Sequence, residues 1–154
     1  MMKIFLFLWM LIFSLEIVDA QEVKKSNWII GPSVGYQHQK HDFLKVSAWG
    51  LTDLGYANYL KFDAGTNFTW KEGKTYVVPE MGVSYYLTAK AIWPFVKAEV
   101  NALSVSPKVG IGIFNILELG LGYGFSLKNH KVLGDSKGTN FSIAINVPLN
   151  YHLY

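Results

Sequence analysis

One stretch near the C-terminus alternates with a strict period of two. From Leu117 to Leu127 every odd position carries a large apolar side chain, and every even position carries Gly, Ser or Glu. A period of two is that of a β-strand, so the stretch predicts a strand with one apolar face. In a soluble β-protein, the row opposite the apolar one faces water and is rich in Lys and Glu rather than in repeated Gly. The pattern therefore predicts that this strand turns its apolar face outward.

Seven further segments alternate in the same way, and residues typical of turns separate them. The eight predicted strands cover residues 28–38, 43–50, 56–70, 77–87, 91–103, 107–114, 117–127 and 139–151. Eight antiparallel strands can close into a small barrel that its own side chains fill. The predicted fold class is therefore all-β: an eight-stranded antiparallel up-and-down transmembrane β-barrel, following a cleaved signal peptide.

The N-terminus has the features of a secretory signal peptide. Lys3 precedes the unbroken apolar run Ile4–Phe13, and Val18 and Ala20 supply the small-residue pattern of a cleavage site. We predict that residues 1–20 are removed and that 21–154 form one outer-membrane barrel domain. The alternative is an uncleaved anchor, but a run of about ten apolar residues is short for a helix that crosses a ~30 Å hydrocarbon core. No later segment offers about 20 apolar residues, so strands must make any span.

The turns divide between the two ends of the predicted barrel. If both termini lie on the periplasmic side, the short turns on that side are at residues 52–53, 88–90 and 115–116. The connections at the outer side are then residues 38–42, 71–74, 104–106 and 129–138, of which only the last is long. Pro79 and Pro148 fall inside predicted strands although proline cannot donate to a ladder. Each therefore predicts a bulge, a strand end or a shorter hydrogen-bonded span.

The charged residues of the predicted strands lie opposite the apolar rows, which carry no charge. The charged positions are Lys45, Lys61, Asp63, Glu80, Lys97, Glu99 and Glu118. A Lys that faces lipid at the bilayer midplane costs about 2–4 kcal/mol, so these residues are expected inside the barrel, where opposite charges neutralise each other. They predict an interior ion-pair network. Such a network is either a gate or proton path, or simply a filled polar core without a pore, which is the interpretation we favour.

Composition excludes several classes of function. The absence of Cys rules out disulfides, a thiol nucleophile, a zinc-thiolate site and acylation at the mature N-terminus. All 14 basic residues are Lys, and removal of Lys3, Glu16 and Asp19 with the leader leaves 14 − 1 = 13 Lys against 11 − 2 = 9 acids, a net charge of +4. A mild excess without Arg argues against a nucleic-acid partner. We expect anionic lipid head groups instead.

Aromatic residues make up 16% of the chain, and many lie near predicted strand ends. Amphipathic rings at the ends of membrane strands form girdles at the two head-group boundaries. The residues that fit these girdles are Trp28, Tyr36, Tyr56, Trp70, Tyr76, Tyr85, Tyr86, Trp93, Tyr123, Tyr151 and Tyr154. Each of them is equally compatible with ordinary core packing in a soluble barrel.

These features resemble the small eight-stranded outer-membrane barrels of Gram-negative bacteria, the class of the OmpA transmembrane domain and the OmpX-like proteins. Members usually end in an aromatic residue that the barrel-assembly machinery recognises, and this chain ends in Tyr154. Asn150 and His152 depart from the pattern, because they occupy positions that are normally apolar. The resemblance implies location in the cell outer membrane and contact with its lipid and lipopolysaccharide. It also implies a role in envelope integrity, adhesion or resistance to host defences, with no fixed chemistry.

Some barrels of this class are lipid A deacylases or palmitoyl transferases with His and Ser at the outer rim. Here the first and last outer loops are neighbours where the barrel closes. A weak rim cluster is therefore predicted from His38, His41, Asp42, His130 and Asp135. A triad needs a nucleophile held against a base, and a metal site needs three or four converging ligands. The sequence shows neither, so no catalytic residue, metal site or cofactor is predicted.

Three hypotheses remain. The leading one is a non-enzymatic integral outer-membrane barrel with a structural or surface-interaction role. The second is an outer-membrane lipid-modifying enzyme, a lipid A hydrolase or acyltransferase. The third is a secreted soluble barrel that binds a small apolar ligand, which requires the two faces of the wall to be inverted. Solubility without detergent distinguishes the third hypothesis from the other two.

Overall fold

The computed structural model describes residues 28–87, 91–128, 131 and 133–150, which form a closed barrel of eight antiparallel strands. The strands are β1 (Trp28–Gln39), β2 (His41–Gly55), β3 (Asn58–Lys71), β4 (Lys74–Leu87), β5 (Ile92–Asn101), β6 (Ser104–Ile113), β7 (Leu117–Ser126) and β8 (Gly138–Asn146). Each strand pairs with the next along the chain, and β8 pairs with β1. The predicted all-β, eight-stranded antiparallel barrel is confirmed. The predicted signal peptide and Tyr154 lie outside the described residues.

Among the described residues, no helix is long and apolar enough to cross a membrane.

The two faces of the wall point as the alternation predicts. On β1, Ile30 and Val34 are 46% and 52% exposed on the outside, whereas Ser33 and Gln37 are buried inside. The same alternation continues around the barrel, and on β7 Leu121 is exposed while Glu118 is buried. The barrel therefore has an apolar exterior and a largely polar interior.

The β2–β3 turn lies later in the chain than predicted. Thr52 still pairs with Trp28 of β1, and Asp53 pairs with Tyr59 of β3, so the predicted turn at residues 52–53 is wrong. The chain reverses at Tyr56 and Ala57, whose φ angles of 54° and 62° are left-handed. Strand β2 is long because Thr52 still pairs with both neighbouring strands, and Asp53 and Gly55 pair with β3. A polar dipeptide does not end a strand while a neighbouring strand still pairs with it.

The predicted connection at residues 104–106 is also wrong, because β6 begins at Ser104. The carboxamide oxygen of Asn101 accepts hydrogen bonds from the backbone N–H groups of Leu103 and Ser104, each at 2.8 Å. A side chain that bonds backbone two residues ahead substitutes for part of a turn. Asn101 therefore reverses the chain within two residues, and Ser104 is already free to pair.

The two prolines are accommodated at the limits of pairing. Pro79 pairs with Thr66 of β3 without a register shift, but the ladder between β4 and β5 starts only at Glu80. The hydrogen-bonded span with β5 is thus shorter than the length of β4, one of the alternatives predicted for Pro79. Pro148 follows Asn146, where β8 ends, so it marks a strand end.

Apolar clusters lie inside the barrel towards its two ends. We call the end with the β1–β2, β3–β4, β5–β6 and β7–β8 connections the loop end, and the opposite end the terminal end. The aromatic plug, near the terminal end, consists of Ile29, Trp49, Leu51, Tyr86, Trp93 and Phe95, with Tyr59 packed against it. The loop cap, near the loop end, consists of Val78, Leu103 and Leu133, with Tyr76 packed against it. Tyr76, Tyr86 and Trp93 therefore pack with these clusters, and the prediction that they belong to lipid-facing girdles is wrong.

Candidate functional site

Between the aromatic plug and the loop cap, charged side chains fill the interior. They project from six consecutive strands, β2 to β7. We define the charge network as Lys45, Lys61, Lys97, Lys108, Asp63, Glu80, Glu99 and Glu118. Four lysines and four acids sum to zero net charge. A buried ion-pair network inside the barrel, as the alternation predicts, is therefore present.

Glu99 is the centre of the network. Its Oε1 atom lies 2.8 Å from the Lys45 ammonium and 2.9 Å from that of Lys97, and its Oε2 atom lies 2.5 Å from that of Lys108. Lys45 also contacts Glu80 at 2.5 Å, and Lys97 also contacts Asp63 at 3.0 Å. One carboxylate thus contacts three buried ammonium groups. With Glu80 and Asp63, the three lysines have three acids as partners, so their charges sum to zero.

A second ion pair lies beside the aromatic plug. The Lys61 ammonium and the Tyr86 hydroxyl both donate to Oε1 of Glu118, and the Asn146 carboxamide donates to the same atom at 2.7 Å. The Lys61 ammonium lies 5.4 Å from the centre of the Trp49 ring, within the range of a cation–π interaction. Among the described residues, no salt bridge joins Lys61 or Glu118 to Glu99 or to the three lysines that contact it. The Lys61–Glu118 ion pair therefore links the polar interior to the aromatic plug.

The structure places all seven predicted interior charges inside the barrel and in ion pairs, and it adds Lys108. That residue has the parity of Gly110 and Gly112 on the inward row of β6, so the alternation itself indicates its direction. The pairing partners are not visible in the sequence. Lys45 on β2 reaches Glu99 on β5 across the lumen, 54 residues further along the chain.

The glycines of the inward rows make room for these long side chains. A Cβ atom at Gly82 would lie 2.7 Å from Oδ1 of Asp63 and 3.0 Å from Cε of Lys97. A Cβ atom at Gly124 would lie 1.8 Å from Nε2 of Gln39. The distances of 2.7 Å and 1.8 Å are shorter than a Cβ atom tolerates to an oxygen or nitrogen atom. The small residues of the inward rows therefore leave the space into which nearby strands extend their polar side chains.

The interior is closely filled. The charge network surrounds a cavity of about 30 Å³, and a second cavity of about 10 Å³ lies nearer the loop cap. One water molecule needs roughly 10–15 Å³ measured in this way, so the larger cavity holds about two. The cavity inside the charge network therefore has room for about two water molecules and is too small for an organic ligand.

At the loop end, His38 and Asp42 form a contact on the outer surface. The Nδ1 atom of His38 lies 2.7 Å from Oδ1 of Asp42, and the Tyr36 hydroxyl donates to the same oxygen at 2.6 Å. The hydrogen bond from Tyr36, followed by that from His38, lowers the pKa of the Asp42 carboxyl below its ordinary value. Both side chains of the His–Asp pair are more than half exposed. The contact is therefore a solvated surface pair.

The other predicted rim residues do not join this pair. Nε2 of His41 lies 2.7 Å from the backbone oxygen of Leu133, and Oδ1 of Asp135 accepts from the backbone N–H of Lys137 at 2.9 Å. His130 lies outside the described residues. Within the described ranges, no group of three or more His, Cys, Asp or Glu side chains is arranged to hold a metal ion. The predicted cluster is thus divided between the outer wall and the loop.

Polar contacts attach the β7–β8 loop to the loop end. Besides the His41 contact, the Gln39 carboxamide donates to the backbone oxygen of Ser136 and accepts from Asn140 at 2.7 Å. Leu133 is only 2% exposed and forms part of the loop cap. Leu133 and Ser136 of this loop are therefore held in the mouth of the barrel.

In comparisons with known proteins, no family model, no curated protein and no solved structure matches this chain. The function is accordingly inferred from the two faces of the barrel wall and from the charges at its rims.

Proposed function

We propose that this chain is an integral outer-membrane β-barrel with a structural or surface-interaction role, exported by the cleaved signal peptide predicted at residues 1–20. The observation that supports it best is the chemistry of the outer wall. Val96 and Val109 face each other across β5 and β6 near mid-height and are 56% and 59% exposed. Between the two rims, the outward positions of the described strands carry no charge. In water, monomeric proteins rarely expose contiguous apolar patches larger than a few hundred Å².

The height of the apolar wall fits a bilayer. On β4 the outward residues from Val77 to Leu87 span 87 − 77 = 10 residue steps. At about 3.3 Å per step, this is roughly 33 Å along the strand. With the strand tilt of about 40° usual in membrane barrels, the height becomes about 25 Å, which is the height of the apolar band in such barrels.

Aromatic side chains at both edges of the wall support the same proposal. Trp28 and Tyr85 are exposed near the terminal end, and Tyr36, Trp70 and Tyr123 are exposed nearer the loop end. Rings with a polar atom are favoured at the two membrane–water boundaries. They would hold the barrel at a fixed depth.

The interior favours a structural role over transport or carriage. A ligand cavity in a carrier usually measures about 300–1,000 Å³, far more than the cavity of about 30 Å³ inside the charge network. All eight side chains of the charge network line that space, which suits water better than a lipid-like ligand. The soluble-carrier hypothesis also requires an inverted wall, which the exposed apolar row contradicts.

A non-enzymatic role is proposed because the two rim histidines that the structure describes, His38 and His41, have the wrong partners for nucleophilic catalysis. His38 contacts a carboxylate, and His41 contacts a backbone carbonyl oxygen. A hydrolase or acyltransferase of the triad type needs the base against a hydroxyl or thiol nucleophile. Surface recognition by the rim is the role that the scaffold supports.

Expression of the full chain with its leader in a Gram-negative host tests the proposal. The envelope is fractionated, and the outer membrane is run on a detergent gel with and without boiling. We expect a band in the outer-membrane fraction whose mobility changes on heating, since closed barrels resist detergent until heated. Deletion of residues 1–20 is the control and should keep the chain in the cytoplasm. A soluble periplasmic protein without a mobility shift would contradict the proposal.

A further inference from the structure

The β3–β4 hairpin extends beyond both of its neighbouring strands at the loop end. Strand β4 pairs with β3 along its whole length, but its ladder with β5 begins only at Glu80. On the other side, the ladder between β2 and β3 stops at Phe68, whereas β3 continues to Lys71. Among the described residues, the stretch 74–79 of β4 therefore has a strand partner on one side only.

The register shows which backbone groups of this stretch point to the open side. Glu72 and Gly73 are left-handed, with φ angles of 53° and 73°, and form a two-residue turn. Lys71 and Lys74 are therefore the hydrogen-bonded pair that closes the turn. Because hydrogen-bonded and non-hydrogen-bonded pairs alternate in an antiparallel ladder, the odd-numbered residues of β4 direct their N–H and C=O groups away from β3.

We call Thr75–Pro79 the open edge. Thr75 and Val77 each present an N–H and a C=O group on the open side, and Pro79 presents a C=O group. Proline within a sheet is confined to positions where its nitrogen faces no partner, and Pro79 lies in the β3–β4 ladder without a register shift, so its position agrees with this direction. In the described part of the chain, no turn or loop donates to or accepts from the backbone of these three residues.

The open edge is accessible and has a defined length. Val77 is 55% exposed on the outside, where it is the uppermost outward residue of the β4 wall. The β5–β6 turn, at residues 102–103, bounds the edge below, since Asn101 pairs with Glu80. At about 3.4 Å per residue, the five residues above that turn give an edge roughly 17 Å long. This length suits one short extended segment.

The chain itself and a second copy are poor candidates for the missing strand. Trp28 and Asn150, where the described residues begin and end, lie at the terminal end, opposite the open edge. Two copies inserted into a membrane in the same direction are related by an axis along the membrane normal. With strand tilts of about 40°, their β4 strands cross at no more than about 80° and cannot pair in the antiparallel arrangement.

Charge at the loop end favours an acidic partner. The charged side chains of the described connections there are the six lysines Lys40, Lys71, Lys74, Lys128, Lys131 and Lys137 and the three acids Asp42, Glu72 and Asp135. Their formal charges sum to 6 − 3 = +3. Of these, Lys74 is exposed and directly precedes the open edge.

We propose that the open edge binds an extended, acidic segment of another protein by β-strand addition. In this mode of recognition, main-chain hydrogen bonds supply affinity and alternate side chains supply specificity. The segment places a β-branched apolar residue beside Val77, where such cross-strand pairs are favourable, and an acidic residue beside Lys74. The inference rests on the proposed surface-interaction role and names the class of partner for it.

The test uses the folded mature chain in neutral detergent and fluorescence anisotropy. The probe is a dye-labelled synthetic peptide that alternates Val and Thr and ends in two Asp residues, and the matched probe has every backbone nitrogen methylated. Val77→Pro removes the N–H group on the open side and leaves the ladder with β3 intact, whereas Val77→Thr keeps that group and the β-branched shape. Val77→Pro should weaken binding of the unmethylated peptide at least about tenfold, and Val77→Thr should leave it unchanged.

Two further measurements keep the test independent of how well Val77→Pro folds, which heat-dependent gel mobility establishes. The methylated peptide should not bind the wild type. Lys74→Glu should weaken binding of the acidic peptide about two- to fivefold and strengthen binding of the same peptide ending in two Lys residues.

Four results would overturn the inference: no binding of the unmethylated peptide, equal binding of the methylated peptide, equal binding by Val77→Pro and Val77→Thr, or slow hydrogen exchange at the Thr75 and Val77 amides without peptide. The last result would mean that this chain or a second copy already covers the edge. Each of them leaves the outer-membrane proposal standing, because that proposal is tested separately by fractionation and gel mobility.

Discussion

The two faces of the barrel wall are built from adjacent residues, yet they follow opposite rules. On β6, Lys108 points inward and contacts Glu99, whereas Val109 points outward and is 59% exposed. One residue step, a translation of about 3.3 Å, separates a buried charge from an exposed hydrocarbon side chain. In a soluble barrel these two environments are exchanged. The difference shows that the direction of the polar row, more than the amount of apolar residues, indicates the solvent in which a β-protein folds.

Removal of the central inner carboxylate is expected to have the largest effect. Glu99→Gln leaves Lys45, Lys97 and Lys108 without the group that all three contact. Breaking a buried ion pair by removing one partner typically costs about 3–5 kcal/mol. Urea-induced unfolding in lipid vesicles, followed by tryptophan fluorescence, measures the change. Glu72→Gln, at an exposed turn, is the control and should change stability by less than about 0.5 kcal/mol. Equal stability of the two variants would show that the network is not structural.

A charge on the outer face should have the next largest effect. Val109→Lys places an ammonium group near the middle of the apolar wall, where the cost in a bilayer is about 2–4 kcal/mol. Thr75→Lys, at the loop end of β4, is the matched control, and its cost should be about 0–1 kcal/mol. Unfolding in vesicles compares the two. If Val109→Lys is as harmless as Thr75→Lys, water faces this wall and the comparison between the two faces fails.

The small residues of the inner face provide a finer test. In Gly82→Ala the new methyl group would lie 2.7 Å from Asp63 and 3.0 Å from Lys97, so both side chains must shift. Overpacking costs about 1–3 kcal/mol, and we expect the lower end of this range because both atoms lie at the ends of flexible side chains. In Gly112→Ala the nearest atom, on Tyr86, is 3.6 Å away, which is ordinary contact. We expect that variant to unfold at the wild-type urea concentration, and Gly82→Ala at a lower one. The reverse order would refute the role assigned to Gly82.

The smallest expected effect is at the outer rim, where a polar contact is exposed to water. The pKa of Asp42 is lowered below its ordinary 3.8, chiefly by the hydrogen bond from Tyr36. Since the folded-state pKa is the lower one, the stabilisation is present above pH 3.8 and is lost as the pH falls through the folded-state value. Tyr36→Phe should raise the Asp42 pKa, measured by carbon NMR of its carboxyl group, whereas Tyr123→Phe should leave it unchanged. An unaltered pKa in Tyr36→Phe would show that the contact does not form.

The strands and their faces could be predicted because alternation is local. Each residue of β7 carries the information about its side of the wall in its own polarity. Strand ends depend on neighbours instead. Strand β2 continues past Thr52 because β3 still pairs with it as far as Gly55. The β5–β6 turn depends on the side chain of Asn101. Such determinants have no periodic signal.

The sequence predicts which charged residues lie inside the barrel, but not which of them form ion pairs with each other. Parity alone places Glu99 and Glu118 inside. Which lysine each one meets depends on how the strands stagger as the barrel closes, and Lys45 reaches Glu99 across the lumen for that reason. The inward turn of Tyr86 and Trp93 was also available from parity, but their aromatic character suggested the membrane boundary. Side-chain type and side-chain direction are separate predictions.

The measurement that tests the central claim most directly is the environment of the outer wall. The chain has no native Cys, so Phe141→Cys, Ile143→Cys and Ile145→Cys on β8 each give one site for a nitroxide spin label. Lys137→Cys, in the β7–β8 loop at the rim of the loop end, is the reference. Electron paramagnetic resonance in vesicles then compares collisions with oxygen, which enters lipid, and with a water-soluble nickel complex. We predict high oxygen and low nickel accessibility at all three wall positions, and high nickel accessibility at the rim. Equal nickel accessibility at wall and rim would contradict the membrane-barrel account.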